Sequence, residues 1–304
     1  MKKVVLSVVA ALAVTAAPAL AADMPVKAVK AAPVVAPSPW DIAFGGAIMN
    51  DYMWRGIAQS AHKPSVAAYF EPRFNITPNL QIYGGIAGES IKFPNGAAAE
   101  IDFYGGVRPT FGPLSFDVGI WYYYYPGGNT SYTSDNFGVL QAIDNASFYE
   151  VYGKAAWAVN DYISVGAYIQ YTPSYLNTGA KGTYYAGTGK LTAPATWLPA
   201  GIGAYASGEL GRQMLGDVDV DGRVYVAPLN LPDYTTWNLG IGFTWKVFTL
   251  DLRYSDTNLS KADCNTITGD PKATVNAAGL GESNWCGATF IAKLSADLTL
   301  ESLK

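Results

Sequence analysis

The chain has 304 residues, a formal net charge of −4 and 50% hydrophobic residues, yet only 14% are charged, below the roughly 25% of soluble domains. An acidic chain without a Lys/Arg cluster cannot neutralise a phosphate backbone, which excludes a nucleic-acid partner. After residue 21 no run reaches the roughly 18 apolar residues that a spanning helix needs, so any membrane location must come from strands.

Residues 1–21 read as a secretion signal. Lys2 and Lys3 form a positive n-region, Val4 to Leu20 an apolar stretch broken by Pro18, and Ala19-Leu20-Ala21 a small-x-small cleavage site. Residues 22–39 follow as a Pro/Ala/Val/Lys lead, extended and unable to build a core. Residues 40–304 carry 16 basic and 23 acidic side chains and are expected to form one β-barrel domain.

Twelve strands are expected there: 41–54, 64–75, 80–92, 99–110, 114–125, 147–158, 161–171, 182–192, 201–213, 234–245, 247–257 and 287–298. The eighth and ninth are poor in β-branched residues, so ten strands remain an alternative. Tight turns at Pro78-Asn79, Gly112-Pro113, Asn160-Asp161 and Lys246-Val247 alternate with longer polar links at 55–63, 93–98, 126–145, 172–181, 214–232 and 258–285. Short turns on one side and long loops on the other are the signature of an outer-membrane barrel.

Period-two alternation divides these strands into two faces. In 247–257, Phe248, Leu250, Leu252 and Tyr254 oppose Thr249, Asp251, Arg253 and Ser255. In 114–125, Phe116, Val118, Ile120, Tyr122 and Tyr124 oppose Asp117, Trp121, Tyr123 and Tyr125. Trp237 and Trp245 share an apolar face eight residues apart, as do Tyr149 and Trp157. Eight tilted residues climb roughly 20 Å, near the approximately 25 Å band between aromatic girdles. The apolar set therefore faces lipid and the charged set faces the lumen. The expected class is all-β: a closed antiparallel transmembrane barrel of about twelve strands, with short periplasmic turns and long extracellular loops.

The segment Asn50-Asp-Tyr-Met-Trp-Arg-Gly-Ile-Ala-Gln59, with Glu100-Ile-Asp-Phe-Tyr-Gly-Gly, Asp117-Val-Gly-Ile-Trp-Tyr, Tyr149-Glu-Val-Tyr-Gly-Lys and Asp233-Tyr-Thr-Thr-Trp-Asn-Leu-Gly, resembles the TorF-type porin family of proteobacterial outer-membrane proteins. The resemblance covers roughly residues 41–298. It implies an outer-membrane barrel with a channel function, and it brings no catalytic residues. Such barrels usually end in an aromatic residue, whereas this chain ends Leu300-Glu-Ser-Leu-Lys304.

The inward set supplies the candidate pore lining: Glu71, Arg73, Glu100, Asp102, Arg108, Asp117, Glu150, Lys154, Asp251, Arg253 and Lys293, with Asp41, Glu89, Glu209 and Asp297 also facing in. Ten acids against five bases predict a mild cation preference for a water-filled lumen. The opposing reading is that these charges pair across a narrow lumen and fill it, with Arg253 near Asp251 or Lys293 and Arg73 near Glu71. Arg55, at the end of the first strand, is placed at an extracellular constriction or, alternatively, at the lipid rim. Cys264 and Cys286, the sole cysteines, lie in one loop and are expected to form a disulfide in an oxidising compartment. His62, the sole histidine, lies near Ser60 and Ser65, but no orienting partner for a relay is evident, and enzymatic activity is set aside. No cofactor motif and no metal-ligand spacing is found.

The expected function is passive diffusion of small hydrophilic solutes or ions through the outer membrane, with lipid and the barrel-assembly machinery as partners. The alternative is a plugged structural barrel whose loops bind a surface partner.

Overall fold

The computed structural model describes residues 39–128, 131–134, 140–143, 145–218 and 230–303. The signal and lead expected over residues 1–39 lie outside the described residues except for Pro39. Twelve strands form the barrel: β1 (Trp40–Met49), β2 (Ser65–Thr77), β3 (Leu80–Ser90), β4 (Ala99–Phe111), β5 (Leu114–Tyr124), β6 (Phe148–Ala158), β7 (Ile163–Thr172), β8 (Gly182–Thr192), β9 (Ile202–Leu215), β10 (Tyr234–Trp245), β11 (Phe248–Thr257) and β12 (Thr289–Thr299). Each pairs antiparallel with its sequence neighbours, and β1 closes the ring on β12, with Ala43 opposite Thr299 and Met49 opposite Lys293. Closure leaves no unpaired sheet edge, as a strand structure in lipid requires.

Both strands in question, β8 and β9, are present and pair in register from Gly182–Leu215 to Thr192–Tyr205. Some of the glycines here make room for bulky neighbours: a Cβ at Gly211 of β9 would run into the Tyr184 ring, and one at Gly242 of β10 into Tyr205, whereas Gly187 and Gly189 of β8 face open space. Tight links join β2 to β3, β4 to β5 and β10 to β11 at one end, where β8 and β9 are joined by the longer 193–201 segment, and the remaining loops gather at the other end.

The alternation sorts as expected. Ile48, Val66, Phe70, Ile86, Phe103, Val118, Ile120, Leu210, Leu239, Ile241 and Phe290 are exposed around the outside, far more apolar surface than a soluble monomer tolerates. Trp157, Trp245 and Phe248 stand toward the short-turn end, and Tyr122, Tyr149, Trp237 and Tyr254 toward the loop end, forming two aromatic girdles.

The first strand departs from expectation. Pairing in β1 stops at Met49 rather than continuing to 54, and the chain turns inward. Met53-Trp54 and Ile57-Ala58 pair as a tiny hairpin across Arg55-Gly56, both with positive φ (49° and 78°). Two consecutive positive φ values make the two-residue turn whose twist suits a hairpin. Gly56 suits the second place, since a Cβ there would strike the Thr236 and Thr257 side chains.

Candidate functional site

The barrel interior is the candidate site. All eleven side chains expected to line it lie on its inner face, and most are paired with one another. Near the short-turn end Glu71 is shared by two arginines. Arg108 Nη1 and Nη2 donate to its two oxygens at 2.8 and 3.2 Å, and Arg73 Nε donates at 2.6 Å. Arg73 also lies 3.6 Å from Asp41, and Arg108 Nε donates to Asp117 at 3.2 Å. Across the lumen, Arg253 clasps Asp251 through Nε and Nη2 at 3.1 and 3.0 Å and donates to Asn238 and Ser207. Both sequence-based pairings, Arg73 with Glu71 and Arg253 with Asp251, are thus formed. Lys293 stands opposite Asp251 in the β11–β12 register. The period-two rule makes residues i and i+2 neighbours on one face, which is why these two pairs were legible.

Tyrosines complete the inner wall. Tyr83 and Tyr152 donate to Asp117, Tyr205 donates to Asp251, and Tyr168 and Tyr184 donate to Glu209. Lys154 sits over the Tyr152 and Tyr168 rings, and Lys190 over Tyr205. The phenols and Lys190 were missing from the expected lining. Their inward register was readable, but tyrosine also fits a lipid-interface girdle, so composition alone could not assign them. The interior is filled rather than wide: Asp117 is 0% exposed and Glu150 1%.

Arg55 does not face lipid. The inward hairpin carries it into the lumen, where Nη1 and Nη2 donate to Glu150 at 2.9 and 2.6 Å and Nη1 donates to Gln213 at 2.8 Å. Its guanidinium lies between the Trp54 ring (4.1 Å) and the Tyr184 ring (4.5 Å). Tyr123 and Gln170 also donate to Glu150, so side chains from β5, β6, β7, β8 and β9 converge on one arginine. Trp54 is packed by Tyr123, Phe148 and Tyr175. This cross-lumen knot narrows the interior at its outer end.

Loops hold the hairpin in place. Cys264 and Cys286 are disulfide-bonded, with Cα atoms 5.7 Å apart, as expected from their isolation. Cys264 belongs to a short helix (Lys261–Thr268) started by the Ser260 side chain, which accepts from the Asp263 N–H. Ile57, Ala58, Tyr234, Trp285 and both cysteines form one buried cluster, and Ala58 N–H donates to the Trp285 carbonyl at 2.8 Å. His62 bridges the first and last loops: Nδ1 lies 2.6 Å from Asp51 Oδ2 and Nε2 3.1 Å from the Asn284 carbonyl. Neither nearby serine reaches the imidazole. Ser60 bonds Asp51 and the Lys63 carbonyl, and Ser65 the Ser90 carbonyl.

Glu89, Glu100 and Asp102 meet on the inner wall of β3 and β4, all buried, with one oxygen of each within 4.8 Å of the others. Sequence spacing alone conceals the group, because Glu89 is brought opposite Glu100 only by strand register.

A family model described as "Bacterial protein of unknown function (Gcw_chp)" matches residues 34–279. No curated protein sequence matches the chain. Among solved structures, the chain is similar to the NanC porin (9% identity, 85% of this chain and 100% of that one, TM-score 0.41). It is also similar to LpxR from Salmonella typhimurium (10%, 84% and 99%, 0.40) and to OmpT, an outer-membrane protein of Vibrio cholerae (11%, 86% and 98%, 0.34). One expectation is corrected here. The exclusion of enzymatic activity drawn from the lone histidine does not stand, and likenesses of 9–11% identity decide nothing about activity either way.

Proposed function

We propose that this chain, which belongs to the Gcw_chp family of bacterial proteins, is a narrow outer-membrane channel for small hydrophilic solutes or ions, mildly cation-preferring and held closed at rest by the hairpin at 53–58. The observation that carries the reading is the contrast between the two faces of the wall: apolar side chains outside, and charged or phenolic side chains inside along its length. A barrel that only displayed loops would have little use for such a polar interior, because burying charge is costly unless each group finds a partner. Acids outnumber bases on the inner face, which favours cations entering from either end. The resemblance to the TorF-type porin family supports the same reading. Export with cleavage of residues 1–21 and insertion by the barrel-assembly machinery complete the proposal.

The rival reading, a plugged barrel whose loops bind a partner, draws on the knot at Arg55. Single-channel recording of the refolded chain in planar bilayers separates the two. Wild type is expected to open rarely, with a reversal potential in a salt gradient that reports cation preference. Arg55→Ala removes both ends of the knot and is expected to raise open probability by about tenfold or more, since an arginine paired with a buried carboxylate is worth about 3–5 kcal/mol when broken and 1.4 kcal/mol already corresponds to a factor of ten. Silence from both proteins, each shown to be folded by heat-modifiable gel mobility, would leave the plugged barrel as the better account.

A further inference from the structure

We propose that Glu89, Glu100 and Asp102 form a binding site for a hard divalent cation of the Ca²⁺ class inside the barrel. The argument begins with register. Antiparallel pairing of β3 with β4 sets Glu89 directly opposite Glu100 and Ala87 opposite Asp102. Like charges directly opposite one another destabilise a sheet, yet here a third carboxylate is added two residues along the same face.

Among the described residues no base compensates any of the three. Glu89 is 2% exposed and Asp102 0%, and all four of their carboxylate oxygens lack a hydrogen-bond partner among the described residues. Among the described residues the donors turned toward the group are neutral. Tyr52 O–H donates to Glu100 at 2.7 Å, the Tyr125 hydroxyl also turns to Glu100, and the Trp121 indole N–H lies beside Asp102. The ion pairs described elsewhere in the lumen, through Arg55, Arg73, Arg108 and Arg253, all end on other acids. A barrel that pairs its other central carboxylates so thoroughly leaves these oxygens aimed at one point.

The dimensions and chemistry select the ligand. One oxygen from each residue lies within 4.8 Å of the other two. Oxygens bound to a common Ca²⁺ at about 2.3–2.6 Å can be at most about 5 Å apart, so the three fit around one ion. An all-oxygen set without nitrogen or sulfur favours hard cations over zinc or copper. Three carboxylates from rigid strands suit the larger and more tolerant Ca²⁺ better than Mg²⁺, which demands near-ideal octahedral geometry. Bound there, the ion would tie β3 to β4 and, through Glu100 and Tyr52, to the inward-turning first loop. The site concerns binding and stands whether or not the lumen conducts.

The test uses the full refolded chain in detergent micelles after chelator treatment. Calcium titration calorimetry is expected to give one site per chain, and Ca²⁺ is expected to raise the melting temperature. Second-shell groups alone are worth about 10–100-fold in metal affinity, so Glu89→Gln and Asp102→Asn should each weaken Ca²⁺ binding by about tenfold or more. In metal-free buffer both variants should melt at or above wild type, because each removes a repelling charge. Glu282→Gln, a loop acid outside the group, should bind as wild type does. Should the variants fail to fold, Tb³⁺ luminescence of the wild type excited through Trp121 and reversed by Ca²⁺ reads the same site. Absence of binding at millimolar Ca²⁺, an equal response in wild type and both folded variants, or Tb³⁺ luminescence that Ca²⁺ does not reverse would each overturn the proposal and leave the carboxyls neutralised by protons.

Discussion

Single side chains tie the loops together at the outer end of this barrel. His62 joins the first loop to the last, through Asp51 on one nitrogen and the Asn284 carbonyl on the other. The hydrogen bond to Asp51 is the largest influence on its ionisation and, with smaller help from Asn284 and Asp270, outweighs partial burial, holding the imidazole above its ordinary value. A raised histidine contributes stability that is fully present below the unfolded value of about 6.5 and is lost as pH climbs through the folded value. Amide hydrogen exchange over residues 57–64 should therefore accelerate between pH 6 and 8.5 beyond the intrinsic base-catalysed rise. His62→Gln should lack this extra step. Identical corrected profiles for the two proteins would remove His62 from the loop clasp.

At the scale of elements, the inward hairpin and the disulfide loop act as one unit. Trp285 and Cys286 lie on Ile57 and Ala58, and Thr257 Oγ1 donates to the Cys286 carbonyl at 2.6 Å. The bridge spans 22 positions, and closing a loop of that size lowers the unfolded entropy by roughly 3 kcal/mol. The paired variant Cys264→Ser/Cys286→Ser is expected to leave the barrel folded, because no barrel strand contains either cysteine. It should also make the 258–288 segment more sensitive to protease and raise open probability in bilayers. Unchanged protease sensitivity would mean that packing around Trp285, rather than the bridge, orders the loop. The strand pairs, by contrast, are insulated from such changes by their ladder bonds.

For the molecule as a whole, lipid takes the place of a soluble protein's core. Leu239, at the middle of β10, is 62% exposed, which in water would make its replacement almost neutral. Within a bilayer, a charge at the mid-plane of a barrel's lipid face costs about 2–4 kcal/mol. Leu239→Arg should lower unfolding stability in vesicles by that amount, measured by denaturant titration. A change below half a kcal/mol would argue that this face does not meet lipid.

Period two is a local property of the backbone, so the sequence by itself determined which side chains share a face and that the charged face is the inner one, while the choice of twelve strands over ten was left to the pairing of β8 with β9. It also determined the disulfide, because two cysteines in one loop leave a single intramolecular pairing. Pairings at i and i+2, such as Arg73 with Glu71 and Arg253 with Asp251, were legible for the same local reason. The tertiary structure alone decided the rest. The first strand ends at Met49 because the Arg55-Gly56 turn folds the chain inward, and an arginine without its partners in view reads equally well as a rim residue. Glu150 and Gln213, its partners, lie 95 and 158 positions away. The cluster of Glu89 with Glu100 and Asp102 depends on strand register across a loop, and one residue of slip would send Glu89 to the lipid face. Long-range closure, rather than any local pattern, brings those groups together.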